Sequence, residues 1–129
     1  MRLLPTLLVV LALACFGCAS ASAPVQAQTS SSSFRQSGLA SYYADKFQGR
    51  STASGEPYDK NALTGAHRKL PFGTRVRVTN TKNGKSVVVR INDRGPYSKK
   101  RVIDLSRSAF STIGKTAKGV LPVTIEVLE

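Results

Sequence analysis

The chain has 129 residues, with 19 Lys plus Arg against 7 Asp plus Glu, one His and two Cys. That length allows one small domain, and the excess of base over acid points to a polyanionic partner. Both cysteines, Cys15 and Cys18, lie near the N-terminus, which excludes a disulfide framework and a thiolate nucleophile for everything that follows.

Met1-Arg2 and then "LLPTLLVVLALACFGC" give a charged start and an apolar run, the pattern of an export signal over residues 1–18. The run falls short of the roughly 20 apolar residues that a transmembrane helix needs. "FGC" and "LAC" each place a small residue before cysteine, as at sites of lipoprotein processing, with Cys18 favoured over Cys15 as the lipidated residue. Cleavage after Ala27, at "VQA", is the competing reading and leaves a soluble product. Residues 19–37 are small, polar and Ser-rich, and read as a flexible tether because they bury too little surface to offset ordering entropy. The folded domain is therefore expected over residues 38–129. Its charge excess, in an exported protein, suits cell-wall polymers or anionic lipid head groups. Neither an aromatic-basic RNA-binding sheet nor a helix-turn-helix pattern is visible, so nucleic acid is not expected as a partner.

Within the domain, "GLASYYA" (38–44) is the first strand candidate. Residues 45–74 are rich in Gly, Pro, Ser and Thr and read as a long structured loop, with a turn of helix near Asn61–Leu63. "RVRVTN" (75–80) alternates charge with Val, as a half-buried strand does. Asn83-Gly84 marks a hairpin, and "SVVVRIN" (86–92) returns with Val87, Val89 and Ile91 on one face. "RVIDL" (101–105) and "LPVTIEVL" (121–128) are two further strands. Between them "SRSAFSTIGKTAKG" reads as one short helix, with Ser106 as N-cap and Gly114 or Gly119 at its end. The fold class is mainly β with one or two short helices, and a closed sheet is an economical core at this size.

Of the acids, Glu126 and Glu129 read as edge or terminal charges and Asp45 as a turn residue. Glu56 in "TASGEPYD", Asp93 in "NDRGPY", Asp104 in "VIDLS" and the lone His67 remain as chemical candidates. Each has a plain alternative. Asp93 before Arg-Gly-Pro is a good turn former, His67 can be structural, Asp104 can pair with Arg101 or Arg107, and Glu56 can be a loop charge. One His and scattered carboxylates lack the spacing of a metal site, and no G-x-S-x-G elbow occurs. Neither metal nor cofactor is expected. Carboxylate acid/base chemistry is what remains.

The order of motifs narrows this further. "ASYYADKFQGRSTASGE", "AHRKLPFGTRVRVTN", "VVVRINDRGPY" and "RVIDLS", in that sequence and spacing, resemble the rare lipoprotein A (RlpA) family of bacterial cell-wall proteins from Gly38 to the C-terminus. The resemblance implies a six-stranded double-psi β-barrel. It also implies a lytic transglycosylase that cleaves the MurNAc–GlcNAc β-1,4 bond of peptidoglycan glycan strands and leaves 1,6-anhydro-MurNAc ends. Carried over, Asp93 matches the family's essential acid and His67 its groove histidine, the two catalytic candidates, with His67 either orienting Asp93 or binding the sugar. Glu56, which matches the "GE" motif, falls to the groove with Asp104, Tyr42 and Arg94. For Asp93 to act as an acid, Arg94 is expected to point toward solvent or glycan, and Glu56 or Asp104 to approach the groove.

Export with such an anchor implies the periplasmic face of the envelope, lipid-anchored to the outer membrane, or else a soluble periplasmic or secreted protein. No obligate oligomer is expected. The chain ends at Glu129 without the C-terminal SPOR domain that many family members carry, so septal targeting and a preference for peptide-free strands are not carried over. Two other classes compete. One is a non-catalytic, expansin-like glycan-binding module that uses Tyr42, Tyr43, Tyr58 and Tyr97 as stacking surfaces. The other is a lipoprotein whose basic surface bridges wall and membrane.

Overall fold

The computed structural model describes residues 34–128. The export segment, Cys15, Cys18 and the Ala27 cleavage point lie outside the described residues. Six strands close a barrel: β1 (Arg35–Tyr42), β2 (Thr64–Ala66), β3 (Arg75–Asn80), β4 (Ser86–Asp93), β5 (Arg101–Leu105) and β6 (Leu121–Val127), in spatial order β1-β5-β2-β4-β3-β6. One helix, α1 (Arg107–Ile113), closes one side. Among the described residues no helix is long and apolar enough to cross a membrane.

The alternating patterns became strands because each presents one apolar row to the interior. Val76 and Val78 of β3, and Val87, Val89 and Ile91 of β4, are all buried, while Arg75, Arg77 and Arg90 face outward. Leu105, Ile103, Val123 and Ile125 complete the interior from β5 and β6. Each fully buried aliphatic side chain of this kind contributes about 1.5–3 kcal/mol. In α1 the apolar residues Ala109, Phe110 and Ile113 share one face and are buried against the barrel. Ser106 caps the helix, its Oγ accepting from Ala109 N at 3.2 Å, and Gly114 ends it.

Two parallel pairings organise the site. β1 runs parallel to β5 with a register shift at Leu39/Ala40, and β2 runs parallel to β4 with one at Gly65/Ala66. Between them, β2 pairs antiparallel with β5, Ala66 facing Asp104. The ends of β2, β4 and β5 therefore bring His67, Asp93 and Asp104 to one end of the barrel.

Three expectations need correction. The folded part begins at Arg35 rather than Gly38, because Arg35, Gln36 and Ser37 pair with Glu126, Ile125 and Thr124. An exposed strand edge needs no apolar residues to be held, so its composition looked like tether. The loop 45–74 contains a sixth strand, β2, which the pattern reading did not mark. Finally, the helical turn lies at Asp45–Phe47 instead of Asn61–Leu63. At the latter place Asp59 Oδ1 accepts from Asn61 N at 2.9 Å, a local side-chain turn that competes with helix.

Candidate active site

Asp93 is the last residue of β4, and its backbone oxygen accepts from His67 N at 3.2 Å, which locks the ends of β4 and β2 together. Beyond it Gly95 has φ 126°, a left-handed conformation that a side chain disfavours, and the Gly95–Pro96 peptide is cis. Asp93, at the end of its strand, lines a cleft with its half-buried side chain. Asp93 Oδ1 accepts from Ala53 N at 2.8 Å and Arg94 N at 2.9 Å, so it is a turn former as well. Oδ2 accepts from Tyr43 Oη at 2.5 Å. With two donors on Oδ1 and one on Oδ2, Oδ2 is the oxygen with capacity left for a substrate.

The carboxylate lines a cleft shared with Tyr43, Phe47, Tyr97, Arg101 and Asp104. On its other side a smaller recess is bounded by Arg50, Thr52 and Tyr58. Tyr43 stacks on Tyr58 with ring centroids 4.4 Å apart and meets Phe47 edge-on at 6.0 Å. Tyr58 is buried and its Oη accepts from Arg107 N at 3.1 Å, so the stack is anchored to α1. Burial, then the hydrogen bond to Asp93 and its charge, push the Tyr43 phenol above its ordinary value. Tyr43 is therefore a permanent donor toward Asp93. Tyr97 is 84% exposed at the mouth of the cleft, an aromatic face open to a sugar ring.

Arg94 turns away from Asp93. Its Nη1 donates to the carbonyls of Leu70 at 2.9 Å and His67 at 3.2 Å, and its guanidinium lies over Phe72 at 4.1 Å. It therefore braces the 67–72 loop, and it also lines the cleft that Asp93 lines. Asp104 Oδ1 accepts from Ser41 Oγ at 2.6 Å and Arg101 Nη1 at 2.8 Å, within the same cleft as Asp93. Arg68 ties the far wall, donating to the carbonyls of Pro96 at 2.7 Å, Arg101 at 2.8 Å and Ser98.

Three other expected residues, His67 of the catalytic pair and Tyr42 and Glu56 of the groove, have polar atoms engaged by protein partners. His67 is only 4% exposed. Its Nδ1 accepts from Lys69 N at 3.0 Å and Leu70 N at 3.1 Å, and its Nε2 faces Gln36 Oε1 at 2.9 Å. Two donors on Nδ1 fix the neutral ring with its proton on Nε2. Burial first, then the charges of Arg68, Arg94 and Lys69, hold the imidazole below its ordinary value. The ring shapes the turn behind Asp93 and has no nitrogen left for a substrate. Tyr42 reaches the cleft wall, but its Oη donates to Thr116 O at 3.1 Å and its ring packs on Phe110 at 4.7 Å. Glu56 lines a separate cleft with Pro57, Arg90 and Asn92. Asn92, then Arg90, hold it below the usual carboxylate value through bonds of 2.8 and 3.0 Å.

Tyr43, Ala53 N–H, Arg101 and Phe47 were not singled out for the acid's surroundings from sequence. The Tyr42-Tyr43 dipeptide held a usable signal, since adjacent residues of an extended chain face opposite ways. Nothing local announces Ala53. Among the described residues no group of three or more His, Cys, Asp or Glu side chains could hold a metal ion.

The family model described as "Lytic transglycolase" matches residues 35–125. A Nostoc sp. protein named "Probable endolytic peptidoglycan transglycosylase RlpA" is 62% identical over 93 residues, covering 70% of this chain and 25% of its own length. A Neisseria meningitidis protein named "Endolytic peptidoglycan transglycosylase RlpA" is 54% identical over 93 residues, covering 72% of this chain and 39% of its own length. The chain thus spans well under half of these relatives. Among solved structures, a mutant of the Clavibacter michiganensis expansin in complex with cellohexaose aligns with TM-score 0.59 and 23% identity, covering 74% of this chain and 51% of that one. That likeness shows the fold, a double-psi β-barrel. Matched over most of its length, from the first strand through the last, the chain belongs to the lytic transglycolase family.

Proposed function

We propose that this domain is a lytic transglycosylase that cleaves the MurNAc–GlcNAc β-1,4 bond of peptidoglycan, with Asp93 as its one proton carrier. What supports the reading most is the setting of Asp93. It is a carboxylate at the rim of an aromatic-walled cleft, free of any guanidinium, with Oδ2 the less occupied oxygen. Asp104 shares the cleft but is paired with Arg101. A hydrolase would need a second free carboxylate to supply a nucleophile or activate water. A transglycosylase does not.

In this mechanism protonated Oδ2 gives its proton to the glycosidic oxygen as the bond to the anomeric carbon breaks and positive charge develops there. The C6 hydroxyl of the same MurNAc then attacks that carbon and returns its proton to Oδ2, so no water is consumed. Tyr43, held protonated, keeps Oδ2 in place through both halves. Tyr97 offers the stacking face and Arg101 a donor fork at the cleft wall. Export and lipidation at Cys18, or alternatively Cys15, belong to the same reading and would place the barrel beside its polymer at the envelope.

The test is to digest purified peptidoglycan with the full chain and analyse the released ends by mass spectrometry, with Asp93→Asn alongside. Native protein should yield 1,6-anhydro-MurNAc ends and the variant none. Binding without product from either protein would favour a non-catalytic wall module. Equal product from both would remove Asp93 from the chemistry.

A further inference from the structure

A second cleft lies at the other end of the barrel. Its walls are the β3–β4 hairpin and the segment between α1 and β6, and it is lined by Lys82, Lys85, Lys115 and Lys118 with Asn80 and Asn83. The strand β4 runs eight residues from this hairpin to Asp93, which separates the two sites by roughly 23 Å at about 3.3 Å per residue.

Three observations make it a built feature. The walls are pinned together: Asn80 Nδ2 and Asn83 Nδ2 both donate to Ile113 O, at 2.8 and 3.1 Å, and Thr81 N donates to Pro122 O at 3.0 Å. The floor is close-packed, since a Cβ on Gly114 would meet Leu121 Cδ1 at 2.5 Å and Cδ2 at 3.0 Å, so a larger residue there would displace Leu121. The charge is unopposed: no acidic residue lines the cleft, and the ion pairs among the described residues all use arginine. Four exposed ammonium groups thus face a concave, fixed surface without counter-charge.

We infer that this cleft is an anion-binding site that holds carboxylate groups of the wall polymer, separate from the strand being cut. The inference rests on the glycan reading of the Asp93 cleft. Lysines act as separate point charges, where a single compact dianion would be better met by an arginine fork. Four of them spread along a cleft suit a polymer that repeats single charges, such as the acidic sugars and peptide ends of peptidoglycan. A concave wall also fits a strand better than the plane of a bilayer. Engagement at both ends would keep the barrel on the polymer between cleavage events.

The experiment measures pelleting of the full chain with insoluble peptidoglycan, for the native protein and the variant Lys82→Gln/Lys85→Gln/Lys115→Gln/Lys118→Gln. A control variant, Lys60→Gln/Lys69→Gln/Lys99→Gln/Lys100→Gln, removes the same charge elsewhere, and thermal melts confirm that both fold. The cleft variant should bind about tenfold or more weakly, as four modest exposed ion pairs would give, and the control distinctly less so. Peptidoglycan whose carboxyls have been blocked as amides should bind native protein no better than untreated polymer binds the cleft variant. Equal losses in both variants, undiminished binding to amidated polymer, or a loss confined to anionic phosphatidylglycerol vesicles would overturn the inference. Anhydro-product formation on short soluble strands should be unchanged in the cleft variant. Absence of product from native protein would sink the catalytic reading while leaving the binding comparison intact, so the two failures are distinguishable.

Discussion

Tyr43→Phe removes one oxygen and leaves the ring, so it isolates the hydrogen bond to Asp93. The stack on Tyr58 at 4.4 Å and the edge contact with Phe47 persist. The lost bond is 2.5 Å long, from a phenol to a carboxylate oxygen, in a half-buried setting. Hydrogen bonds to charged groups contribute about 1.5–3 kcal/mol. If that bond positions Oδ2 for proton transfer, most of it appears in the barrier, and kcat falls roughly 10–100-fold. KM should change little, because Tyr43 orients the acid and is not expected to grip the sugar. The assay is anhydro-end release against strand concentration. A thermal-unfolding cycle of Tyr43→Phe, Asp93→Asn and the double variant supplies the second readout, and the two single effects should couple by about 1 kcal/mol or more. Native kcat in Tyr43→Phe, or additive unfolding effects in the cycle, would refute the positioning role.

Three further outcomes follow from the same geometry. His67 titrates near 6.5 when unfolded and lower when folded. Between those values the unfolded chain binds more protons, so stability should fall as pH drops through that window and then level off. His67→Gln should lose that part of the slope in melts taken across pH, and an unchanged slope would contradict the neutral, buried ring. Ser106→Ala removes both the cap to Ala109 N and the donor to Ala62 O, and should cost about 1–2 kcal/mol by urea unfolding without altering KM. Glu56→Gln should leave kcat for anhydro-end release nearly intact, since its cleft shares no lining residue with the Asp93 cleft, and a large loss of kcat would contradict that separation.

The strands were readable wherever a residue's environment repeats locally. β3, β4 and β6 begin and end within a residue or so of the alternating runs because each buries one face, and β5 keeps its expected bounds although Val102 and Ile103 are both buried. β2 could not be read that way. Thr64, Gly65 and Ala66 are all buried, with no alternation across three residues, and their extended form is imposed by β4 and β5 on either side. The closed order of strands is equally non-local, since β1 finds its parallel partner some sixty residues downstream, and only the family resemblance supplied it. In the site, Asp93 announced itself by ending a strand before Gly95-Pro96. Its surroundings did not: the Ala53 N–H comes from a loop whose path no pattern encodes, and Arg94 and His67 looked chemical while serving the turn behind the acid.

In the proposed reaction one carboxylate suffices because the sugar's own hydroxyl, and not water, attacks the anomeric carbon. Cleavage of peptidoglycan strands in water enriched in oxygen-18 tests it most directly, with mass spectrometry of the new MurNAc ends. Attack by the C6 hydroxyl should give anhydro ends that carry no label. Labelled reducing ends, formed in proportion to cleavage, would show that water had attacked and would contradict it.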